Sequence, residues 1–132
     1  MSYPFSSPGW IGDPTVALAP TATGDKVTTL SNLAGGIVRG IQLSVTTSLT
    51  GAPVFGVKIK RNKETGTPTE LVGTVTTGAV TAPSRKQYPL VLVAGKNPEF
   101  APGDDVILSI ETAASAGVAT GVVLADQDPA QP

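Results

Sequence analysis

The 132-residue chain has no cysteine and no histidine, and it is poor in charged residues. Without thiol or imidazole groups it cannot form a disulfide scaffold, a cysteine-based metal site or a His-dependent catalytic triad. Charged residues make up 14% of the sequence, against roughly 25% in typical soluble domains. Such a chain is too apolar for a disordered protein and too weakly charged for an ordinary free monomer. We therefore expect a partner to cover part of its surface.

The charges also nearly cancel, because nine Lys/Arg face ten Asp/Glu for a net charge of −1. A nucleic-acid or membrane-surface binder would need a strong basic excess, so neither partner is expected. The longest apolar runs are far shorter than the roughly 20 residues that cross a bilayer. Because the N-terminus lacks the basic and apolar regions of a signal peptide, the sequence predicts a protein made in the cytoplasm.

The distribution of proline and glycine predicts three regions. Residues 1–14 are predicted to be an extended N-terminal arm, because their prolines and glycines forbid regular structure. Residues 15–126 are predicted to form a single β-sandwich domain, with turn signals between short strands. Residues 127–132 are polar and rich in proline, and we interpret them as a tail outside the sheets.

The arm contains Tyr3, Phe5 and Trp10, which are half of the chain's six aromatic residues. A solvated tail has little use for three large apolar rings, because burying each one gains on the order of 2–3 kcal/mol. The arm therefore folds back on its own core or lies across a neighbouring subunit or partner, and simple disorder is the third alternative. These three aromatics are candidate partner-binding residues.

The rest of the chain is typical of a β protein. Seventeen Thr and fifteen Val favour strands, because β-branched side chains fit a pleated surface. Apolar and polar residues alternate in residues 41–46, 55–60 and 105–111, with Ile107 pointing outward against the pattern. The expected fold is an all-β, jelly-roll-like antiparallel sandwich of about eight strands. The candidate strands are Val16–Ala19, Lys26–Ser31, Ile37–Ser48, Val54–Arg61, Glu70–Thr77, Gln87–Val93, Asp105–Thr112 and Ala119–Asp126.

Between the last two candidate strands, the Ala-rich stretch Thr112–Ala119 is interpreted as a hairpin loop rather than a helical turn, because of Gly117. No Ser-x-x-Lys pattern, dinucleotide fingerprint or Walker loop occurs in the chain. We predict a protein that is not an enzyme and that needs no cofactor.

Carboxylates could still hold a structural Ca²⁺, whose ligands are oxygen atoms. Asp104 and Asp105 lie close to Glu99, and Asp126 lies close to Asp128. However, Pro-Gly-Asp is ordinary turn chemistry before a strand, and the second pair belongs to an exposed chain exit. We therefore predict no metal site.

The basic residues are unevenly spread along the sequence. The cations that form one stretch are Lys58, Lys60, Arg61 and Lys63. A second, smaller group is formed by Arg85 and Lys86. The first stretch is either the solvated face of a strand, where lysine deters aggregation, or a patch that pairs with an acidic partner surface. In the second case its four cations are candidate partner-binding residues.

Two segments, Val38–Thr46 and Phe100–Ile110, look like strands of phage structural proteins. Together with the Thr/Val/Ala/Gly-rich strands and the absence of Cys and His over about residues 15–126, they give the chain a resemblance to the decoration, or cement, proteins of tailed-phage capsids. The resemblance implies a jelly-roll-like sandwich that binds the outer surface of an assembled capsid in the virion. It also implies a homo-oligomer, dimer or trimer, that bridges and stabilises subunits of the major capsid protein.

Two other functions are kept open. One is a glycan- or receptor-binding sandwich of a virion fibre or appendage, which would need exposed aromatics on a sheet face. Outside the arm only Phe55, Tyr88 and Phe100 are available, and Phe55 is predicted to point inward. The other is a different neck or tail structural subunit, which the sequence does not separate from a decoration protein.

Overall fold

The computed structural model describes residues 7–11, 17–29, 35–61 and 69–127. These residues form ten β-strands and no helix, which confirms the predicted all-β class. Within them there is accordingly no helix long and apolar enough to cross a membrane. The strands are β1 (Ser7–Ile11), β2 (Gly24–Thr29), β3 (Gly36–Thr50), β4 (Val54–Lys60), β5 (Glu70–Thr76), β6 (Ser84–Pro89), β7 (Val91–Leu92), β8 (Glu99–Phe100), β9 (Asp105–Thr112) and β10 (Ala116–Gln127).

The strands form two antiparallel sheets of five strands each. Sheet I has the order β1–β10–β3–β6, and β8 also pairs with β3. Sheet II has the order β2–β9–β4–β5–β7. Buried apolar residues of both sheets form one core cluster, as in a β-sandwich. The jelly-roll connectivity expected from the sequence stays a prediction, and so does the division into arm, domain and tail.

The core is built from alternate residues of the facing strands, as the sequence predicts. In β3 the inward residues Ile41, Leu43 and Val45 are buried, whereas Ser44 and Thr46 are more exposed. Each such apolar side chain gains roughly 1.5–3 kcal/mol on full burial. The largest fully buried side chains are Phe55, Leu18, Ile41, Leu43, Leu49, Ile59, Leu108, Ile110, Val57, Val72 and Val106.

The arm contains a strand that the sequence analysis did not predict. Residues Ser7–Ile11 form β1, which pairs with the end of β10 from Ser7↔Gln127 to Ile11↔Val123. The expectation that prolines and glycines forbid regular structure is therefore wrong for these five residues. β1 is the end strand of sheet I, and an end strand tolerates Pro8 because one side of its backbone needs no ladder partner.

The candidate strand Gln87–Val93 is also wrong as a single element. The chain follows β6 in sheet I as far as Pro89, crosses at Leu90 and continues as β7 in sheet II. Leu90 packs against the core, and it covers Gly73 on β5. Period-two alternation cannot reveal such a crossing, because an inward residue looks the same in either sheet.

Three smaller differences concern the connections. The residues between β9 and β10 join the two sheets and do not close a hairpin within one sheet. In place of the candidate strand Val16–Ala19, the described residues show a single bridge, Ala17↔Thr120. The two-residue strand β8 was not predicted. Ile107, which was predicted to point outward, pairs with the outward residue Lys58 but is nevertheless buried.

Gly117 offers a test of this packing. Its φ is +132°, and an added Cβ would lie 2.5 Å from Leu49 Cδ2 and 2.9 Å from Leu49 Cα. We expect Gly117→Ala to cost about 3–4 kcal/mol of unfolding free energy in urea, from backbone strain and overpacking together. The matched control is Gly78→Ala, because Gly78 has φ +65° but open space around it. It should cost only about 1–2 kcal/mol, and equal costs would contradict the close packing of Leu49 against Gly117.

Candidate functional site

The structure places the seven candidate partner-binding residues in different situations. Tyr3, Phe5 and Lys63 lie outside the described residues. The backbone of Trp10 lies in β1 opposite Leu124. The candidates whose side chains are described are Lys58, Lys60 and Arg61. Partner contact through any of the seven stays a prediction.

Lys58 takes part in a polar network on the outer face of sheet II. Its Nζ lies 2.9 Å from Asp25 Oδ1 on β2 and 3.6 Å from Glu111 Oε2 on β9. Ser109 donates a hydrogen bond of 2.7 Å to the same Glu111 oxygen. Gly56 leaves room for this network, because a Cβ there would lie 2.8 Å from Glu111 Cγ and Ser109 Oγ. The network ties β4 to both β2 and β9.

This arrangement raises the pKa of Lys58 above its ordinary 10.5. The main cause is the hydrogen bond that the ammonium group donates to Asp25, with support from the negative charge of Glu111 and opposition from partial burial. Lys58 is thus held in its charged form by groups of its own chain.

Arg61 holds the loop before β9. Its guanidinium group donates hydrogen bonds to the carbonyl oxygens of Asn97, at 2.9 Å, and Glu99. It also lies 3.4 Å from Oδ2 of the buried Asp104, which accepts a hydrogen bond of 2.9 Å from the Ala101 amide. Because Arg61 is bonded to these three acceptors of its own chain, its role in the structure is to anchor this loop.

Lys60 differs from its two neighbours. It is exposed at the end of β4, opposite Asp105 on β9. The three described cations of the candidate patch therefore lie in three settings. Lys58 is on a sheet face, Lys60 is at a strand end and Arg61 is inside a loop anchor. Acidic groups from other elements lie beside each of them.

The carboxylates considered for Ca²⁺ are also dispersed. Among the described residues, no group of three or more Asp, Glu, His or Cys could hold a metal ion. Asp104 holds the turn before β9, Glu99 is exposed in β8, and Asp126 is bonded to Arg39 on β3. Asp128 lies outside the described residues.

A second basic surface lies where the chain crosses between the sheets. Residues 84–98, here called the basic edge, contain Arg85, Lys86 and Lys96 but no Asp or Glu. Val91 and Leu92 lie within it, and these residues are 65% and 51% exposed. The Arg85–Lys86 pair is visible in the sequence. The further signal that could have found this surface was the absence of acidic residues over fifteen positions.

Within the basic edge, Lys86 and Tyr88 lie on β6, which is an end strand of sheet I. Their register partners in β3, Leu43 and Ile41, belong to the core, so both side chains project from the inner face of β6. The Lys86 Nζ lies 5.3 Å from the centre of the Tyr88 ring, within range of a cation–π interaction. An inward lysine on an end strand disfavours addition of another strand.

The aromatic residues outside the arm form no exposed platform. Phe55 and Phe100 are buried in the core, and Tyr88 packs partly against it. Burial raises the pKa of the Tyr88 hydroxyl from its ordinary 10.0. The prediction that Phe55 points inward is confirmed.

A shallow notch lies between β3, β6 and β10. It has a volume of about 300 Å³, which is at the lower limit of ligand pockets. The residues that line it are Arg39, Gly40, Gln87, Tyr88, Pro89 and Leu124. Arg39 is the charged residue of this lining, and it already forms an ion pair with Asp126. The notch therefore offers a partner mainly apolar walls.

Comparison of the chain with protein-family models, with curated proteins and with solved structures finds no match to any of the three.

The anchoring role of Arg61 can be tested by substitution. We expect Arg61→Met to lower the unfolding free energy by about 2–4 kcal/mol, because it removes the guanidinium group that bonds to the Asn97 and Glu99 carbonyl oxygens and faces the buried Asp104 carboxylate. The matched control, Lys60→Met, removes an exposed cation and should change stability by less than about 0.5 kcal/mol. Urea unfolding measures the unfolding free energy of both variants. Equal losses of stability would show that Arg61 does not anchor this loop.

The Lys58 network predicts a dependence on alkaline pH. Because the folded-state pKa of Lys58 lies above 10.5, its stabilising contribution is complete below pH 10.5 and is lost as the pH rises through the folded-state value. Ionisation of the half-buried Tyr88 also destabilises the folded state at alkaline pH. The contribution of Lys58 is therefore measured as the difference between the wild-type chain and Lys58→Met. We expect the difference in unfolding free energy, about 1 kcal/mol near pH 8, to shrink above pH 10.5. A difference that grows with pH would contradict the network.

Proposed function

We propose that the chain is a non-enzymatic structural protein of a virus particle. In this proposal it binds the outer surface of the capsid, as a homo-oligomer, and stabilises the shell by bridging major capsid subunits. The mechanism is physical, because a partner that binds only the assembled shell stabilises that state by mass action. Its place of action is then the virion, after synthesis in the host cytoplasm.

The observation that carries the proposal is an exposed apolar pair on a weakly charged sandwich. Val91 and Leu92 are adjacent and exposed in β7, and adjacent exposed apolar residues are typical of protein–protein contact sites. The sandwich gives these residues a rigid support, because its two sheets share one core. A jelly-roll connectivity belongs to the same proposal and rests on the resemblance noted in the sequence.

The alternative of a glycan-binding module has less support. Sugar recognition by stacking needs an aromatic face open to solvent, whereas Phe55 and Phe100 are buried and Tyr88 has Lys86 beside its ring. Reproducible binding to one sugar class on a glycan array would favour that alternative. Sedimentation with purified tails, and not with shells, would favour a neck or tail subunit.

Deletion of residues 1–6 tests the proposal together with the role of the arm. The deletion removes Tyr3 and Phe5 but keeps β1, so sheet I retains all of its strands. We expect co-sedimentation with purified expanded shells to fall at least about tenfold, because two aromatic anchors are lost. The circular dichroism spectrum should stay that of the β fold.

The matched control is deletion of residues 128–132, a polar segment of similar length at the other terminus. This control should bind shells like the full chain. If the full chain does not sediment with shells, the proposed function is wrong. If the chain lacking residues 1–6 binds as well as the full chain, Tyr3 and Phe5 do not contact the shell.

A further inference from the structure

The first strand of the fold begins where the last strand ends. Ser7, the first residue of β1, is the register partner of Gln127, the last residue of β10. Gln127 also pairs with Gly36 at the start of β3, and Gly36 pairs with Phe100 in β8. The four residues form one row across sheet I, about 14 Å wide at roughly 4.8 Å for each strand spacing. The residues that precede β1 and those that follow β10 therefore connect to the fold at the same end of sheet I.

The described part of the basic stretch lies at this end too. β4 ends at Lys60. The next residue, Arg61, donates a hydrogen bond from its guanidinium group to the carbonyl oxygen of Glu99, which precedes Phe100 in β8. The arm and the basic stretch are far apart in the sequence, but the fold brings their points of attachment together. We call the end of the sandwich that carries Ser7, Gln127, Lys60, Arg61 and Glu99 the terminal end.

We infer that the chain binds the shell end-on, with the terminal end facing the shell surface. The partner surface is then a protein surface with an apolar recess that accepts Tyr3 and Phe5. Lys60 and Glu99, which are both exposed, would contact a polar rim of mixed charge around that recess. This inference rests on the proposed function, and it adds the orientation in which the chain binds.

The short reach of the arm excludes contact through the opposite end of the sandwich. β10 spans twelve residues from Ala116 to Gln127, so the opposite end lies about 35 Å from Ser7. The six residues before Ser7 extend over at most about 20 Å. A chain that bound through its opposite end would hold Tyr3 and Phe5 out of reach of the shell. Contact by the arm therefore requires the shell to lie near the terminal end.

The outer face of sheet II is a poorer contact surface, because its charged groups already bind one another. Lys58 bonds to Asp25 and lies 3.6 Å from Glu111, which accepts a hydrogen bond from the fully buried Ser109. A partner on this face would have to desolvate or displace these groups, and that costs free energy unless each contact is replaced. The exposed Lys60 and Glu99 of the terminal end lie outside this network.

The experiment uses single cysteines, because the chain has none of its own. Two variants, Lys60→Cys and Glu99→Cys, place an exposed thiol at the terminal end. The Glu99 substitution leaves the carbonyl oxygen that binds Arg61 in place, because that oxygen belongs to the backbone. Each variant is mixed with purified expanded shells before and after reaction with a maleimide-linked polyethylene glycol, and co-sedimentation is measured. The unlabelled form of each variant is its own control.

Two further variants place the same label elsewhere on the sandwich. Ala52→Cys lies in the exposed turn between β3 and β4 at the opposite end, and Leu92→Cys lies on the end strand of sheet II. We expect the polymer at Lys60→Cys or Glu99→Cys to weaken shell binding at least about tenfold, because it prevents close approach. The polymer at Ala52→Cys or Leu92→Cys should leave binding within about twofold. Circular dichroism checks that each variant is folded.

Two results would overturn the inference. One is that neither label at the terminal end weakens binding, and the other is that a label at Ala52→Cys or Leu92→Cys weakens it as strongly. In both cases the unlabelled chain still sediments with shells, so the proposed function stands and only the orientation is wrong. If the unlabelled chain does not sediment with shells at all, the proposed function and the orientation are both wrong.

Discussion

The pairing of β3 with β10 is the contact on which the rest of the sandwich depends. It runs from Gly36↔Gln127 to Thr50↔Ala116 and joins the two longest strands. All strands of sheet II except β2 lie between β3 and β10 in the sequence. The segment between β3 and β10, which closes into a loop when they pair, therefore contains most of sheet II, and it packs against sheet I in one core. The entropy of such a long closure is compensated only when the two apolar faces meet.

Sequence alternation predicted the faces of the strands well and their neighbours poorly. The inward positions of β3, β4 and β9 follow from a local period of two, so Ile41, Phe55 and Leu108 could be assigned to the core in advance. β1 could not, because Pro8 and Gly9 oppose a strand locally and only the available edge of β10 permits one. The sheet change at Leu90 was likewise decided by non-local packing.

The candidate site shows the same limit for charges. Lys58, Lys60 and Arg61 are close in sequence, which suggested one basic patch. Their oppositely charged neighbours, such as Asp25 and Asp104, come from elements 33 and 43 residues away. No local pattern contains these partners, whereas the absence of carboxylates over residues 84–98 is readable from the sequence alone. A run of cations in the sequence is thus weak evidence for a binding surface, because its acidic partners can come from distant elements.

The exposure of Val91 and Leu92 is a consequence of the way the chain changes sheets. Leu90 fills the core above Gly73, and the two residues that follow form the outermost strand of sheet II. Polar residues there would cost little stability, because exposed positions contribute little to the core. In a free monomer this apolar pair is an aggregation hazard.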